Sequence, residues 1–272
     1  MKELPQRILT GIIFLIIVIG AIMINPITLA TIFYIIAILG LLEYYSLCKI
    51  GGVHPQGTLG VITSTALYVS IELVKLDAIP VVGVAISIPL FLAIFIYELF
   101  RKRPDPFTNI AHTVLGIIYI VAPLALLNVF SFEQLYADNR DVVLGFFILL
   151  WLNDTGAYVF GKLLGKHKIF PRISPKKTWE GSIGGALSSI AGGIVIATQF
   201  SHVGLYHWIA LSLIIVVFGS MGDMVESLLK RSLKIKDSSN ILPGHGGILD
   251  RFDGVLIASP MVFTYLTVFV HS

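Results

Sequence analysis

The sequence predicts an all-α integral membrane protein, a polytopic helical bundle of about nine transmembrane helices with a cytoplasmic N-terminus. Three observations carry that expectation. Of the 272 residues, 56% are hydrophobic and only 13% charged, and the mean hydropathy is +0.89, which excludes an ordinary soluble domain. Apolar runs approaching the about 20 residues needed to cross the hydrocarbon core recur along the whole chain. Basic residues sit between those runs instead of on one helix face, and a net charge of +3 is too small to argue for nucleic acid.

The runs fall at roughly 8–24, 27–42, 57–75, 79–100, 110–129, 142–160, 181–200, 206–222 and 255–271. The first, preceded by Lys2 and Arg7, begins like a signal peptide. It is nevertheless long enough to span, and Asn25-Pro26 leads straight into a second run, so it reads as a retained helix. The seventh is rich in Gly and Ser between Gly181 and Gly193, a composition suited to packing against other helices. With the N-terminus inside, 17 of the 19 Lys and Arg fall in segments 1–7, 43–56, 101–109, 161–180 and 223–254, leaving Lys75 and Arg140 as exceptions. The longest outside loop, near 130–141, holds Glu133, Asp138 and Asp141. That asymmetry places both large polar loops on the cytoplasmic side of a cell (inner) membrane. It also divides the chain into N-terminal membrane helices, 1–140, with about five spans, and a C-terminal region, 141–272, with about four spans and the polar loops. The Arg101-Lys102-Arg103 cluster reads as a topology anchor at the anionic leaflet. Cys48, placed in a short loop, is the lone cysteine, which argues against disulfides, structural zinc and thiol redox chemistry. His112, His202, His207 and His271 have no partner at ligand spacing, and Trp151 and Trp179 read as interfacial or packing aromatics.

The richest chemistry lies in 223–254, DMVESLLKRSLKIKDSSNILPGHGGILDRFDG. On a helix Asp223, Glu226 and Lys230 share one face, and Asp250 and Asp253 repeat the three-residue spacing. Between the acidic pairs lie basic residues and then Pro243, Gly244, His245, Gly246 and Gly247, a turn whose backbone amides can approach a ligand closely. Carboxylates alone repel phosphate, and lysines alone lack the ion that links its oxygens. Together they suit a metal-bound polyphosphate. A solvated juxtamembrane loop explains the lysines but not the clustered Asp, His and Gly. His245 either donates to a phosphate oxygen or braces the turn.

A second constellation starts at the end of the sixth run, WLNDTGAYVFGKLLGKHK, and continues through FPRISPKKTWEG. A carboxylate within a span costs about 2.5–3.5 kcal/mol on insertion scales and normally faces protein or a watery cavity. Asp154 is therefore a functional candidate, the alternative being that it reaches the interface and pairs with Lys162 or Lys166. Ser174, Pro175, Lys176, Lys177 and Thr178 read as a polar turn whose lysines either contact phosphate or anchor the loop.

Ser227, Leu229, Lys230, Arg231, Lys236, Asp237, Ser239, Leu242, Pro243, His245, Gly246, Gly247, Ile248, Asp250, Arg251, Phe252 and Asp253 together resemble the signature of the phosphatidate cytidylyltransferases, or CDP-diacylglycerol synthases, with no departure over 27 residues. Asn153-Asp154 with Ala157, Tyr158, Gly161 and Gly165, and the SPKKTWEG run, look like the family's upstream regions, so the resemblance covers roughly 140–254. It implies a multi-span fold, transfer of CMP from CTP to phosphatidic acid with release of pyrophosphate, Mg2+ as one ion or two, membrane-lipid partners and a homodimer. On this reading Asp223, Lys230, Lys236, Asp237, His245, Asp250, Arg251 and Asp253 are catalytic. Asn153, Asp154, Ser174, Lys176, Lys177, Thr178, Arg231, Gly246 and Gly247 bind substrate, and Asp154, Asp223, Asp250 and Asp253 hold metal. The sixth and eighth spans are expected to carry Asp154 and Asp223 to one cavity wall, and the His245 loop to close over the triphosphate.

The competing class is an ion channel or transporter, in which Asp154 and Asp223 would mark a cation path. The adjacent lysines oppose it, and the glycine-rich turn has no role in it. The DGxxAR start of the CDP-alcohol phosphotransferase motif is absent.

Overall fold

The structure, a computed structural model, describes residues 3–129, 140–200, 203–239, 241 and 246–270. Helix α1 (Glu3–Ile24) and helix α2 (Pro26–Ile50) are separated by Asn25 alone. Pro26 opens α2 with a preset φ and no N–H to leave orphaned, while Asn25 Oδ1 accepts from Thr28 N at 2.7 Å. One residue thus ends a helix and caps the next. There follow α3 (Gly57–Lys75), a 3-10 segment (Val81–Ile86) running into α4 (Ser87–Arg101), and α5 (Pro106–Gly116), joined by a π-helical turn to α6 (Ala122–Val129). The chain continues through α7 (Arg140–Leu164), α8 (Trp179–Gln199), α9 (Leu205–Ser232) and α10 (Leu249–Tyr265) with a terminal π turn. Among the described residues each of the nine expected runs lies largely in a helix, the fourth opening outside one at Ile79-Pro80. Among the described residues, eight helical stretches are long and apolar enough to cross a membrane, and α1 is a further helix of 22 residues. The protein is a multi-pass membrane protein.

Three local expectations change. Ser174 to Thr178 is not a turn but strand β2 (Ser174–Thr178), antiparallel to β1 (Lys168–Phe170), with Lys168 opposite Thr178 and Phe170 opposite Ser174. The turn is at Pro171 to Ile173, where Ile173 N donates to Phe170 O at 3.1 Å, so the fold is not purely helical. Cys48 lies buried within α2 rather than in a loop, because the helix persists to Ile50 and stops only at Gly51-Gly52, where Gly52 takes φ +81°. Finally, the helices outrun the apolar stretches: α9 continues through Asp223, Glu226 and Lys230, and α10 already contains Asp250 and Asp253. Apolarity marks the membrane-facing length of a helix, not its hydrogen-bonded length.

The chain forms two compact units, one of Met1–Val129 with Leu233–Phe252, the other of Phe130–Ser232 with Asp253–Ser272. Segment 233–252, expected with the C-terminal region, therefore groups with the N-terminal helices. In the first unit, Leu29, Phe33, Ala37, Leu41, Tyr44 and Tyr45 of α2 are buried, and Phe252 meets Phe14 and Phe33 edge-on with ring centres 5.5 and 6.1 Å away. Arg101 does more than mark topology: its Nη1 donates to Glu98 Oε2 at 2.9 Å, and Gln56 Nε2 donates to the same oxygen at 2.6 Å.

In the second unit α7 and α8 pack along their lengths and α9 packs on both. The α8 glycines permit this approach. A Cβ at Gly185 would lie 2.6 Å from Asn153 Oδ1, and one at Gly181 would lie 2.8 Å from Ala157 O. Close backbone approach of this kind supplies the van der Waals contact that holds helices together in lipid. Trp208 on α9 is fully buried over Gly145 of α7.

Candidate functional site

Within the second unit, α7, β2, α8 and α9 surround an open cavity of about 330 Å³, a size typical of small-molecule sites, roughly 300–1,000 Å³. Asn153 and Asp154 reach it from α7, Ser174, Lys176, Lys177 and Thr178 from β2, and Asp223 from α9. Lys177 Nζ stands 2.6 Å from Asp223 Oδ2 and donates to Ser220 O at 3.1 Å. Neither Lys162 nor Lys166 is paired with Asp154; Lys162 instead lies over the Tyr158 ring, 6.0 Å from its centre.

The lysine strand is held by the first turn of α8. Thr178 Oγ1 caps the helix by accepting from Gly181 N at 3.2 Å. Glu180 accepts from Lys166 N at 3.1 Å and from His167 N at 3.2 Å, and its Oε1 lies 2.6 Å from His167 Nδ1. Trp179 N donates to His167 O at 2.9 Å. Both ends of the hairpin are therefore tied to one helix start, which fixes where Lys177 emerges.

Beside the cavity lies a cluster of carboxylates. Asp253 on α10 feels the charges of Asp223, Glu226 and Asp154, and its Oδ1 accepts from Gly254 N at 2.7 Å. Glu226 is buried and pairs with Lys230 Nζ at 2.6 Å, the i,i+4 arrangement expected on α9, and Ser227 Oγ donates to Asp223 Oδ1 at 3.3 Å. Lys177 and Lys230 thus serve Asp223 and Glu226. Among the described residues no ammonium is at ion-pair distance from Asp154 or Asp253. All-oxygen donors with an excess of negative charge fit a hard divalent cation. No three His, Cys, Asp or Glu side chains among the described residues stand close enough to form a ligand set by themselves.

The glycine-rich segment belongs to the first unit. Asp250 Oδ2 accepts from Ser238 N at 3.0 Å, Ser238 Oγ at 2.7 Å and Gly247 N at 2.8 Å. Buried Glu43 on α2 accepts from Ile248 N at 2.8 Å and Leu249 N at 3.3 Å, so an anion from a distant helix occupies the positive N-terminus of α10. Gly246 takes φ +82°, a left-handed turn that a β-carbon disfavours. A Cβ on Gly247 would collide with the Glu43 carboxylate and the Ser238 hydroxyl. Of the expected ligands, Asp250 therefore organises its own loop through one oxygen. Lys236 and Asp237 are exposed on that loop, Arg251 is exposed on the first turn of α10, and Arg231 is exposed on the last turn of α9. His245 and its expected closure over a triphosphate lie outside the described residues.

Glu43, Glu180, Ser220 and Ser238 were not among the expected site residues. Glu43 carried the signal that exposed Asp154, a carboxylate interrupting an apolar run, but its partners are backbone amides some two hundred residues away.

The family model described as the cytidylyltransferase family matches residues 5–269. A phosphatidate cytidylyltransferase of Staphylococcus haemolyticus (strain JCSC1435) is 33% identical over 258 residues, covering 94% of this chain and 96% of its own. One of Bacillus subtilis (strain 168) is 32% identical over 276 residues, covering 99% and 100%. One of Staphylococcus aureus (strain COL) is 33% identical over 261 residues, covering 94% and 96%.

Proposed function

Because this chain belongs to the cytidylyltransferase family, we propose that it transfers CMP from CTP to phosphatidic acid, giving CDP-diacylglycerol and pyrophosphate, at the cavity lined by Asp154, Lys177 and Asp223. The observation that carries the assignment of the site is the meeting of lysines and carboxylates from three separate elements at one cavity. A cation path would be opposed by Lys176 and Lys177 at its wall.

An anionic oxygen of the phosphatidate phosphate attacks the α-phosphorus of CTP, and the bond from that phosphorus to the bridging oxygen breaks as pyrophosphate departs. The nucleophile is already ionised, so no strong general base is required. The barrier lies in bringing two anions together and in stabilising charge on the leaving group. Lys176 and Lys177 supply mobile positive charge from β2, and the Lys177–Asp223 pair keeps that ammonium at the wall until phosphate displaces the carboxylate. Asp154, Asp223 and Asp253 would hold Mg2+, one ion or two, which would supply positive charge against the negative charge of the phosphates. Arg231, exposed on the last turn of α9, adds positive field. The active site faces the cytoplasm of the cell (inner) membrane, where CTP arrives from water and phosphatidate keeps its chains in lipid. The working form is a homodimer.

The test is conversion of labelled CTP to lipid-extractable label by purified protein. Label entering lipid only when phosphatidate and Mg2+ are both present is the expected result. Folded protein that transfers nothing under any metal condition would overturn the proposal.

A further inference from the structure

Lysines and carboxylates answer the phosphates of a nucleoside triphosphate but leave its flat, uncharged base without a surface. The wall of the same cavity supplies one. Among the described residues Tyr158 of α7 is the one aromatic side chain that lines it, and this residue is 68% exposed. The same helix buries Phe146 and Phe147, so α7 places aromatics in the core where packing is their task. Tyr158 is held otherwise: Lys162 Nζ stands over its ring, 6.0 Å from the centre, at the limit of a cation–π contact.

Helix geometry sets where that ring lies relative to the phosphate groups. Tyr158 follows Asp154 by four residues, so the two share a face of α7 about 6 Å apart along the axis. In a nucleoside triphosphate one ribose separates the base from the α-phosphate, a distance of the same order. A phosphate held beside Lys177, Asp223 and Asp154 therefore leaves the base at the level of Tyr158, toward the hairpin end of the helix.

Close packing brings a polar group to that level. A Cβ at Gly181 would lie 2.8 Å from Ala157 O, so α7 and α8 touch one residue before Tyr158 and Ser182, both of which line the cavity. The Ser182 hydroxyl has no hydrogen-bond partner among the described residues. Being donor and acceptor at once, it can meet either the amino group or the ring acceptors of a pyrimidine edge. An exposed tyrosine in a membrane protein otherwise contacts lipid. A wall shared with Lys176, Lys177 and Asp223 favours a ligand that carries phosphate and a flat ring together.

We propose that Tyr158 is the stacking platform for the nucleobase of the triphosphate substrate, with Ser182 hydrogen-bonded to the base edge. The platform presupposes the CMP transfer proposed above and adds the base subsite to it. Stacking supplies affinity for any base, and discrimination falls to the edge contact.

The experiment is equilibrium binding by titration calorimetry to full-length protein in detergent with Mg2+ and no phosphatidate. The ligands are CTP and ribose 5-triphosphate, which lacks only the base. The expected result is that wild-type protein binds CTP about tenfold more tightly. Tyr158→Leu should weaken CTP about tenfold and leave ribose 5-triphosphate unchanged, which also shows an intact phosphate site. Tyr158→Phe, which keeps the ring, should bind CTP as wild type does. Equal affinity of wild-type protein for the two ligands, or an equal loss of both in Tyr158→Leu, would overturn the proposal. So would a Tyr158→Leu variant that binds CTP normally and instead raises the KM for phosphatidate, which assigns the ring to the lipid. The wild-type comparison decides even if a variant fails to fold. A protein that transfers CMP to lipid yet binds both ligands equally refutes the platform and leaves the transfer reading standing.

Discussion

The replacement Glu43→Gln tests whether the glycine-rich segment is held by an anion or merely by shape. The side chain keeps its length but loses its charge and one of two acceptor oxygens. The 2.8 Å bond from Ile248 N changes from charge-assisted to neutral, a loss of about 1 kcal/mol, and the 3.3 Å bond from Leu249 N contributes less because it is long. Removing the anion from the N-terminus of α10 costs about 0.3–1 kcal/mol more. An amide group turned toward one of the N–H groups leaves a buried donor unmatched, at about 1–3 kcal/mol. The expected total is about 2–5 kcal/mol, concentrated on local opening of residues 246–249 rather than on the whole fold. Hydrogen exchange should then accelerate at the Ile248 and Leu249 amides by about 30-fold or more. If the motif residues of this segment take part in transfer, CTP-to-lipid transfer should fall in kcat more than it rises in KM. Glu43→Asp, which keeps the charge on a shorter arm, should recover part of both effects. Wild-type exchange and wild-type kcat in Glu43→Gln would refute the reasoning.

Other perturbations separate the remaining roles. Asp223→Asn and Asp154→Asn should each lower transfer by about 100-fold or more, with the Asp223 variant also freeing Lys177 from its 2.6 Å partner; steady-state kinetics across a Mg2+ titration checks both. Lys177→Met should raise the KM for CTP and lower kcat while leaving the thermal unfolding midpoint within a few degrees. Gly247→Ala forces a methyl into Glu43 and Ser238 and should destabilise by about 1–3 kcal/mol, visible as a lower unfolding midpoint and reduced transfer. Chelation of divalent cations should abolish transfer and restoration of Mg2+ should recover it, with unchanged circular dichroism showing that the fold does not depend on the ion.

What the sequence could and could not supply follows from the range of the interactions involved. Nine apolar runs were readable because a span needs about 20 apolar residues whatever it packs against. The Asn25-Pro26 break was readable because cap and proline act within one turn. The shared face of Asp223, Glu226 and Lys230 follows from helical periodicity alone, and the 2.6 Å Glu226–Lys230 pair realises it. The hairpin was missed because the sequence from Lys168 to Thr178 has too few residues to show alternation, and because its anchor, Glu180, acts through backbone amides of Lys166 and His167 rather than through a complementary side chain. The same limit explains Glu43 and Asp250. Glu43 accepts from main-chain N–H groups, which every residue but proline carries, and so do two of the three bonds to Asp250, the third coming from the Ser238 hydroxyl. An acid inside an apolar run is consequently a statement that some donor has been brought to it. For Asp223 the donor is Lys177 on β2, whose run was read as contacting phosphate or anchoring the loop, not as this carboxylate's partner. For Glu43, only the folded turn that exposes the amides of Ile248 and Leu249 creates the partner at all.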